Sequence, residues 1–203
     1  MTDLKEKPVL LALILSLEGG GAERIFTRVL KSLSDRFSIV AVVFYPRGRY
    51  LDGILSIPDI RFYSLEGERG NTISFVRRLR TIIKKENPSR ILSFLYYPNI
   101  VAYLSLFRLK TPLVLSERSN HRLYLGSSLK HRLWKGMLAG AYRKAFRIVT
   151  VSEGVRKFIA DDFRINPSKI EVIYNGIDFE TLDRLKEEPV NDFGFKKELK
   201  YIL

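Results

Sequence analysis

The sequence predicts an α/β domain of Rossmann-like, three-layer build with a mostly parallel sheet, and three observations carry that prediction. Val9 to Leu17 is a continuous aliphatic run, as a central parallel strand covered on both faces requires. Phe146 to Asp178 reads strand, helix, strand, and a β-α-β unit makes its strands parallel. Between these ends, short apolar runs alternate with helical patterns, and no repeat or low-complexity segment interrupts them.

Composition supports one globular domain. The chain has 203 residues, 46% hydrophobic and 28% charged, enough for a full core and little disorder. With no cysteine and only His121 and His131, neither a disulfide framework nor a closed metal site is available, and no metal is expected. The net charge of +13 calls for an anionic partner or surface, for which nucleic acid, phospholipid and phosphorylated substrates all qualify. The apolar run after Lys5 and Lys7 imitates a signal peptide, but Glu18 and glycines stand where a cleavage site belongs. No run reaches the ~20 apolar residues of a membrane span, so membrane contact would be peripheral.

After the first strand come Gly19-Gly20-Gly21 and then Ala22-Glu23-Arg24, which open a helix with Ile25, Phe26, Val29, Leu30 and Leu33 on one side. Glycine allows close backbone approach and a helix N-terminus attracts anions, so the loop is a candidate phosphate site; equally, it is a turn that lets helix and strand pack closely. It is not a dinucleotide fingerprint, because Arg24 stands where the third glycine belongs, and it lacks the lysine of a P-loop.

Phe37 to Phe44 is the second strand, followed by the loop Tyr45-Pro46-Arg47-Gly48-Arg49 with no acid for a ribose hydroxyl. Ile60 to Leu65 is the third strand and 67–70 a loop. Asn71 or Thr72 then caps a helix from Ile73 to Asn87. That helix sets Phe75, Val76, Leu79, Ile82 and Ile83 against a basic face of Arg77, Arg78, Arg80, Lys84 and Lys85, which as such is a solvated surface or an anion-facing one. Arg90 to Leu95 is the fourth strand, Tyr96-Tyr97-Pro98-Asn99 a loop, and Ile100 to Phe107 a buried helix. Pro112 to Ser116 is the fifth strand. It ends in Glu117, Arg118, Ser119, Asn120, His121 and Arg122, polar groups where open α/β sheets place ligands, unless Glu117 and Arg122 merely pair at the surface.

Ser127 to Ala145 is a long helix with Leu129, Leu133, Trp134, Met137, Leu138, Ala141 and Tyr142 across a wide arc and basic residues at its edges. An interfacial helix and a core helix with solvated flanks read alike at this level. Ser152 caps the helix of the last crossover, which breaks by Asn166-Pro167, and the final strand ends in the turn Asn175-Gly176. Phe179 to Lys186 is a short helix and 187–192 a polar linker, before Phe193 to Lys200 and an apolar Tyr201-Ile202-Leu203.

The wording of three segments goes further than their spacing. Gly-Gly-Gly-Ala-Glu-Arg at 19–24, Val-Thr-Val-Ser-Glu-Gly-Val at 149–155 and Val-Ile-Tyr-Asn-Gly-Ile-Asp at 172–178 resemble glycosyltransferase family four, retaining nucleotide-sugar enzymes of the GT-B fold. Ser116-Glu117-Arg118-Ser119-Asn120 is similar to the Ser-Glu-Arg-Asn variant of members that build bacterial glycans on lipid carriers, although the family commonly has histidine where Arg118 stands. The resemblance implies that 1–180 is the N-terminal, acceptor-side domain and that 181–203 is a linker and the start of an otherwise absent C-terminal donor domain.

It further implies that Gly19, Gly20, Gly21, Glu23 and Arg24 lie against the donor phosphates and acceptor. Glu117, Arg118, Asn120 and His121 would line the acceptor side, and Ser152, Glu153 and Asn175 the cleft edge. In retaining transfer the donor's own phosphate helps deprotonate the acceptor, so no catalytic carboxylate is assigned. The implied partners are a nucleotide-sugar donor, held weakly by this portion alone, a glycan or lipid-linked acceptor, and an anionic membrane surface on the cytoplasmic side; no cofactor is implied. The rival expectation is a non-catalytic basic module that docks on membrane or nucleic acid. For nucleic acid the sequence offers charge but neither a stacking motif nor a helix-turn-helix pattern.

Overall fold

The computed structural model describes residues 7–66, 71–120, 128–176, 179, 183–184 and 186–188. Its centre is a seven-stranded sheet of β1 (Val9–Ile14), β2 (Ser38–Val43), β3 (Arg61–Ser64), β4 (Arg90–Phe94), β5 (Leu113–Glu117), β6 (Arg147–Thr150) and β7 (Ile170–Val172). The strands are ordered β3-β2-β1-β4-β5-β6-β7, and every pairing is parallel. Continuous aliphatic sequence goes to the middle: Leu11 to Ile14 and Val40 to Val43 are fully buried, whereas β3 at the edge is half exposed.

Strand periodicity divides the core into two layers. Leu11, Leu13, Val40, Val42, Ile91, Leu115 and Ile148 face one side. There they meet α3 (Thr72–Glu86), α4 (Tyr96–Ser105), α5 (Leu129–Lys144) and α6 (Glu153–Phe163). Leu10, Ala12, Ile14, Ile39, Ala41, Val43 and Phe94 face the other, under α1 (Gly21–Leu33) and the short α2 (Leu51–Leu55). Each fully buried Leu, Ile, Val or Phe contributes about 1.5–3 kcal/mol, so the central strands hold the fold.

Helix ends follow local chemistry. Asn71, Ser128 and Ser152 cap α3, α5 and α6 by accepting from Ser74, His131 and Val155 backbone N–H groups, respectively. Asn87 and Arg164 close α3 and α6 in the left-handed conformation.

Four expectations need correction. α2 was not foreseen. α4 begins at Tyr96, so the stretch read as a loop is its first turn, where Pro98 fits because the N–H groups there have no intrahelical partner. β5 extends to Glu117, which is therefore a fully buried strand residue, while Arg122, its alternative surface partner, lies outside the described residues. The basic face of α3 is partly engaged: Arg78 donates to the carbonyls of Leu65 and Glu66, and Arg80 to those of Ser105 at the end of α4 and Phe107 just past it. The expected loop at 67–70, the lysine-rich segment and the terminal apolar residues lie outside the described residues, as do most of the 187–192 linker and half of the segment Phe179 to Lys186.

Candidate functional site

Connections from β1 run toward β3 and those from β4 toward β7, so the order of the sheet reverses between β1 and β4. In open α/β sheets the crevice at such a reversal, beyond the carboxyl ends of the strands, is where ligands bind. Because all seven strands are parallel, the loops after β1, β5, β6 and β7 emerge on this one edge. Gly20 and Arg118 accordingly share an edge. So do Ser152, Glu153 and Asn175.

The glycine loop leads straight into α1, with Gly20 as its extended N-cap. Glu23, in the first turn, folds back so that its Oε2 lies 2.4 Å from where a Cβ on Gly20 would stand. A carboxylate placed so is favourable at a helix N-terminus and is itself an anion there. A Cβ on Gly21 would meet nothing within 4 Å. Arg24 is exposed, and its backbone N–H makes the first helical bond, to Gly20 O at 3.2 Å.

The loop after β2 braces the glycine loop, a relation that sequence reasoning missed. Leu17 N–H donates to Arg47 O, and Tyr50 N–H to Leu17 O, at 3.1 and 3.2 Å. Between them Gly48, at φ 116°, passes so close that a Cβ would lie 2.2 Å from Glu18 Cα and Leu17 O. Arg47 pairs with Glu18 at 3.3 Å, and Arg49 donates to Gly19 O at 3.3 Å. Two guanidinium groups thus flank the glycines. The available signal was the Arg-Gly-Arg on the loop after a strand that must neighbour β1.

At β5 the pleat sends successive side chains to opposite faces. Glu117 turns toward α4 and α5, where its Oε1 accepts from Asn99 Nδ2 at 2.7 Å and from Tyr142 OH at 2.9 Å. Burial, then the charge and hydrogen bond of Glu117, push the Tyr142 phenol well above its ordinary value. Arg118 turns the other way, with its guanidinium 5.5 Å from the centre of the Phe94 ring and Nη2 donating to Asn175 Oδ1. Burial lowers its pKa, although a guanidinium remains charged at neutral pH.

Arg118 borders a groove of about 520 Å³ whose walls include Arg28 and Val29 of α1, Phe94, Val149 and Tyr174. The three glycines stand at the N-terminal end of α1 and do not line it. Ser152 spends its hydroxyl on capping α6, and Glu153 is exposed and paired with Arg156 at 3.3 Å. Asn120 is exposed just past β5, and His121 lies outside the described residues. The edge therefore gathers Gly20, Arg118 and Asn175 as groups that can face a ligand. Glu117 is buried on the helix side, against Asn99 and Tyr142.

On the α3–α5 side, α5 resolves into two halves. Leu138, Ala141 and Tyr142 are buried in the core, whereas Leu129 and Leu133 are 81% and 64% exposed beside exposed Arg132 and Lys135. Ile73 and Tyr96, at the starts of α3 and α4, are also exposed. Among the described residues no helix is long and apolar enough to cross a membrane.

The model of the family described as Glycosyltransferase Family 4 matches residues 19–181. The chain is 27% identical over 201 residues to a Campylobacter jejuni subsp. jejuni protein, the N-acetylgalactosamine-N,N'-diacetylbacillosaminyl-diphospho-undecaprenol 4-alpha-N-acetylgalactosaminyltransferase. That match covers 94% of this chain and 52% of the relative, so the chain spans about half of that relative's length. Among solved structures, Anabaena Alr3699/HepE in complex with UDP superposes with a TM-score of 0.65 at 19% identity, covering 85% of this chain and 45% of that one. The UDP-GlcNAc 2-epimerase from Neisseria meningitidis bound to UDP-GlcNAc gives 0.60 at 17% identity, covering 88% and 50%. At these identities the structural likenesses show a common fold.

Proposed function

Because the chain belongs to glycosyltransferase family 4, we propose that it is the acceptor-side domain of a retaining, nucleotide-sugar-dependent enzyme that extends a lipid-linked glycan. The observation that carries this reading is that the family match runs from the glycine loop past the Asn-Gly exit, and both stand on one edge of a parallel sheet. The activity named for the Campylobacter relative, transfer of N-acetylgalactosamine to a diphospho-undecaprenol-linked sugar, supplies the acceptor class.

In this reading the bond from the acceptor oxygen to the donor's anomeric carbon forms as the bond to the leaving phosphate breaks, and that phosphate takes the acceptor proton. The chain's own residues orient and stabilise charge. Arg118 offers its planar fork to a diphosphate, and the N–H groups of Gly20 and Gly21 offer a second anion contact, for which the Glu23 carboxylate swings away. The donor's sugar and nucleoside are gripped by a second domain that completes the cleft, so residues 1–203 hold donor weakly. The acceptor's lipid brings the chain to the cytoplasmic face of an anionic membrane, where Leu129 and Leu133 lie shallowly among basic residues.

The test is transfer of labelled N-acetylhexosamine from its UDP-sugar to an undecaprenyl-diphosphate-linked saccharide. Residues 1–203 alone should be inactive, and fusion to the C-terminal half of the Campylobacter relative should give transfer that Arg118→Ala reduces at least tenfold. Transfer by residues 1–203 alone, or a fully active Arg118→Ala fusion, refutes the reading.

A further inference from the structure

We propose that Glu117, clamped by Asn99 and Tyr142, is a positioning residue that aims the Arg118 guanidinium across the carboxyl edge. This rests on the reading of Arg118 as the group that holds an acceptor diphosphate. Glu117 is the last residue of β5 and pairs in register with Thr150 of β6, so its backbone is fixed on the sheet side. Its side chain is fixed on the helix side by Asn99 of α4 and Tyr142 of α5, and all three residues are 0% exposed.

A carboxylate taken fully out of water is costly even when hydrogen-bonded, and an apolar residue would fill the space more favourably. Its presence therefore asks for a task beyond packing. The pleat supplies one. With Glu117 locked toward α4 and α5, the next residue must project to the opposite face, and Arg118 does so, over Phe94 and onto Asn175. A residue just past a strand end would otherwise be free to choose its direction, and a long arginine side chain has several rotamers to lose on binding.

The second half of the clamp lies in α4. Asn99 is in the first helical turns after Leu95, whose φ of 74° is unusual for a residue with a side chain. Asn99 N–H donates to Leu95 O at 3.0 Å, and Leu95 N–H donates to Ser116 O at 3.0 Å, the residue before Glu117. Asn99 is thus tied to β5 twice, by its side chain to Glu117 and through the Leu95 turn to Ser116. This turn sits at the end of β4, at the reversal of the sheet. The arrangement joins the site's charged group to a rigid element instead of leaving it on a loop.

The test uses residues 1–203 with pyrophosphate as probe. The variants are Tyr142→Phe and Glu117→Gln, which keep volume and weaken the clamp. The positioning readout is the Arg118 Nε–H resonance in 15N NMR, assigned by its loss in Arg118→Lys. Its solvent exchange should quicken at least threefold in both variants, and pyrophosphate should bind three- to tenfold more weakly. An Arg118 Nε–H exchange rate unchanged in folded Tyr142→Phe overturns the inference, whether or not Glu117→Gln folds. Separately, an Arg118→Ala chain that binds pyrophosphate as well as the parent would overturn the diphosphate reading, while the exchange rates would still decide whether the clamp aims Arg118.

Discussion

Arg118 and Asn175 are joined across the carboxyl edge of the sheet, with the guanidinium Nη2 donating to the amide Oδ1, so the exits of β5 and β7 are tied through their side chains. The pair couples two of the segments that resemble the family, which lie far apart in sequence. Asn175 is exposed, so the bond contributes at the low end of the usual net value, about 0.5–1.5 kcal/mol. Asn175→Ala should therefore barely lower Tm while weakening pyrophosphate binding by two- to fivefold, because Arg118 loses its acceptor. Isothermal titration alongside thermal melting checks the separation. A Tm loss without any loss of affinity would make the contact purely structural.

Two glycines of the site contrast, since the backbone requires Gly48 and leaves Gly21 free to change. Gly48 combines a left-handed φ with backbone atoms 2.2 Å from a would-be Cβ, and neither Glu18 Cα nor Leu17 O can yield cheaply. Gly48→Ala should cost about 2 kcal/mol or more and loosen the brace on the glycine loop. Gly21 opens α1 with free space around it, and alanine there should be neutral or gain up to about 1 kcal/mol of helix propensity. Denaturant melts of the two variants give the contrast. Equal stability in both would show that the 45–50 loop re-forms without its close approach.

Much of the fold was legible because burial on both faces demands aliphatic runs, and β1, β2 and the β6-α6-β7 unit carry them openly. α2 was not, since five residues are too few to show a helical period. Pro98 disguised the start of α4, since proline reads as a break although a first turn tolerates it. Of the candidate site, the shared edge of Gly20, Arg118 and Asn175 was legible, because parallel strands send their following loops to one side. The roles within it were not: whether Glu117 faces solvent or core depends on where β5 ends and on Tyr142, 25 positions away in sequence. The contact of Arg49 with Gly19 was illegible for the same reason, since it spans 30 positions.

Tyr142 predicts an alkaline limit to stability. Burial and the Glu117 carboxylate hold its phenol neutral in the folded chain well above the ordinary value, which is near 10 in the unfolded one. The unfolded state then releases a proton that the folded state keeps, so stability is fully present below about pH 10 and falls as pH rises toward the folded pKa. Tyr142→Phe removes this proton from both states. The variant should be less stable at pH 7 by about 1–3 kcal/mol, having lost a buried bond to a carboxylate, yet show a shallower decline between about pH 9 and 11. Tm against pH for both proteins tests this, and parallel curves would mean that the phenol titrates normally in the folded chain.

The exposed end of α5 offers the last test. Leu129 and Leu133 stand in solvent at the start of a helix whose other half is core, with Arg132 and Lys135 exposed beside them. Apolar side chains placed so contribute nothing to folding, but burying each in an interface stabilises by up to about 1.5–3 kcal/mol, and each basic residue near an anionic leaflet adds about 1 kcal/mol. Leu129→Gln with Leu133→Gln should therefore leave Tm within about a degree of the parent while lowering flotation with vesicles of anionic phospholipid by tenfold or more. Binding by the parent should fall with salt, since charge draws the helix in before the leucines enter. If the double variant floats as well as the parent, or if neutral vesicles carry the parent equally, this end of α5 is an ordinary solvated surface and the membrane contact in the proposed function fails.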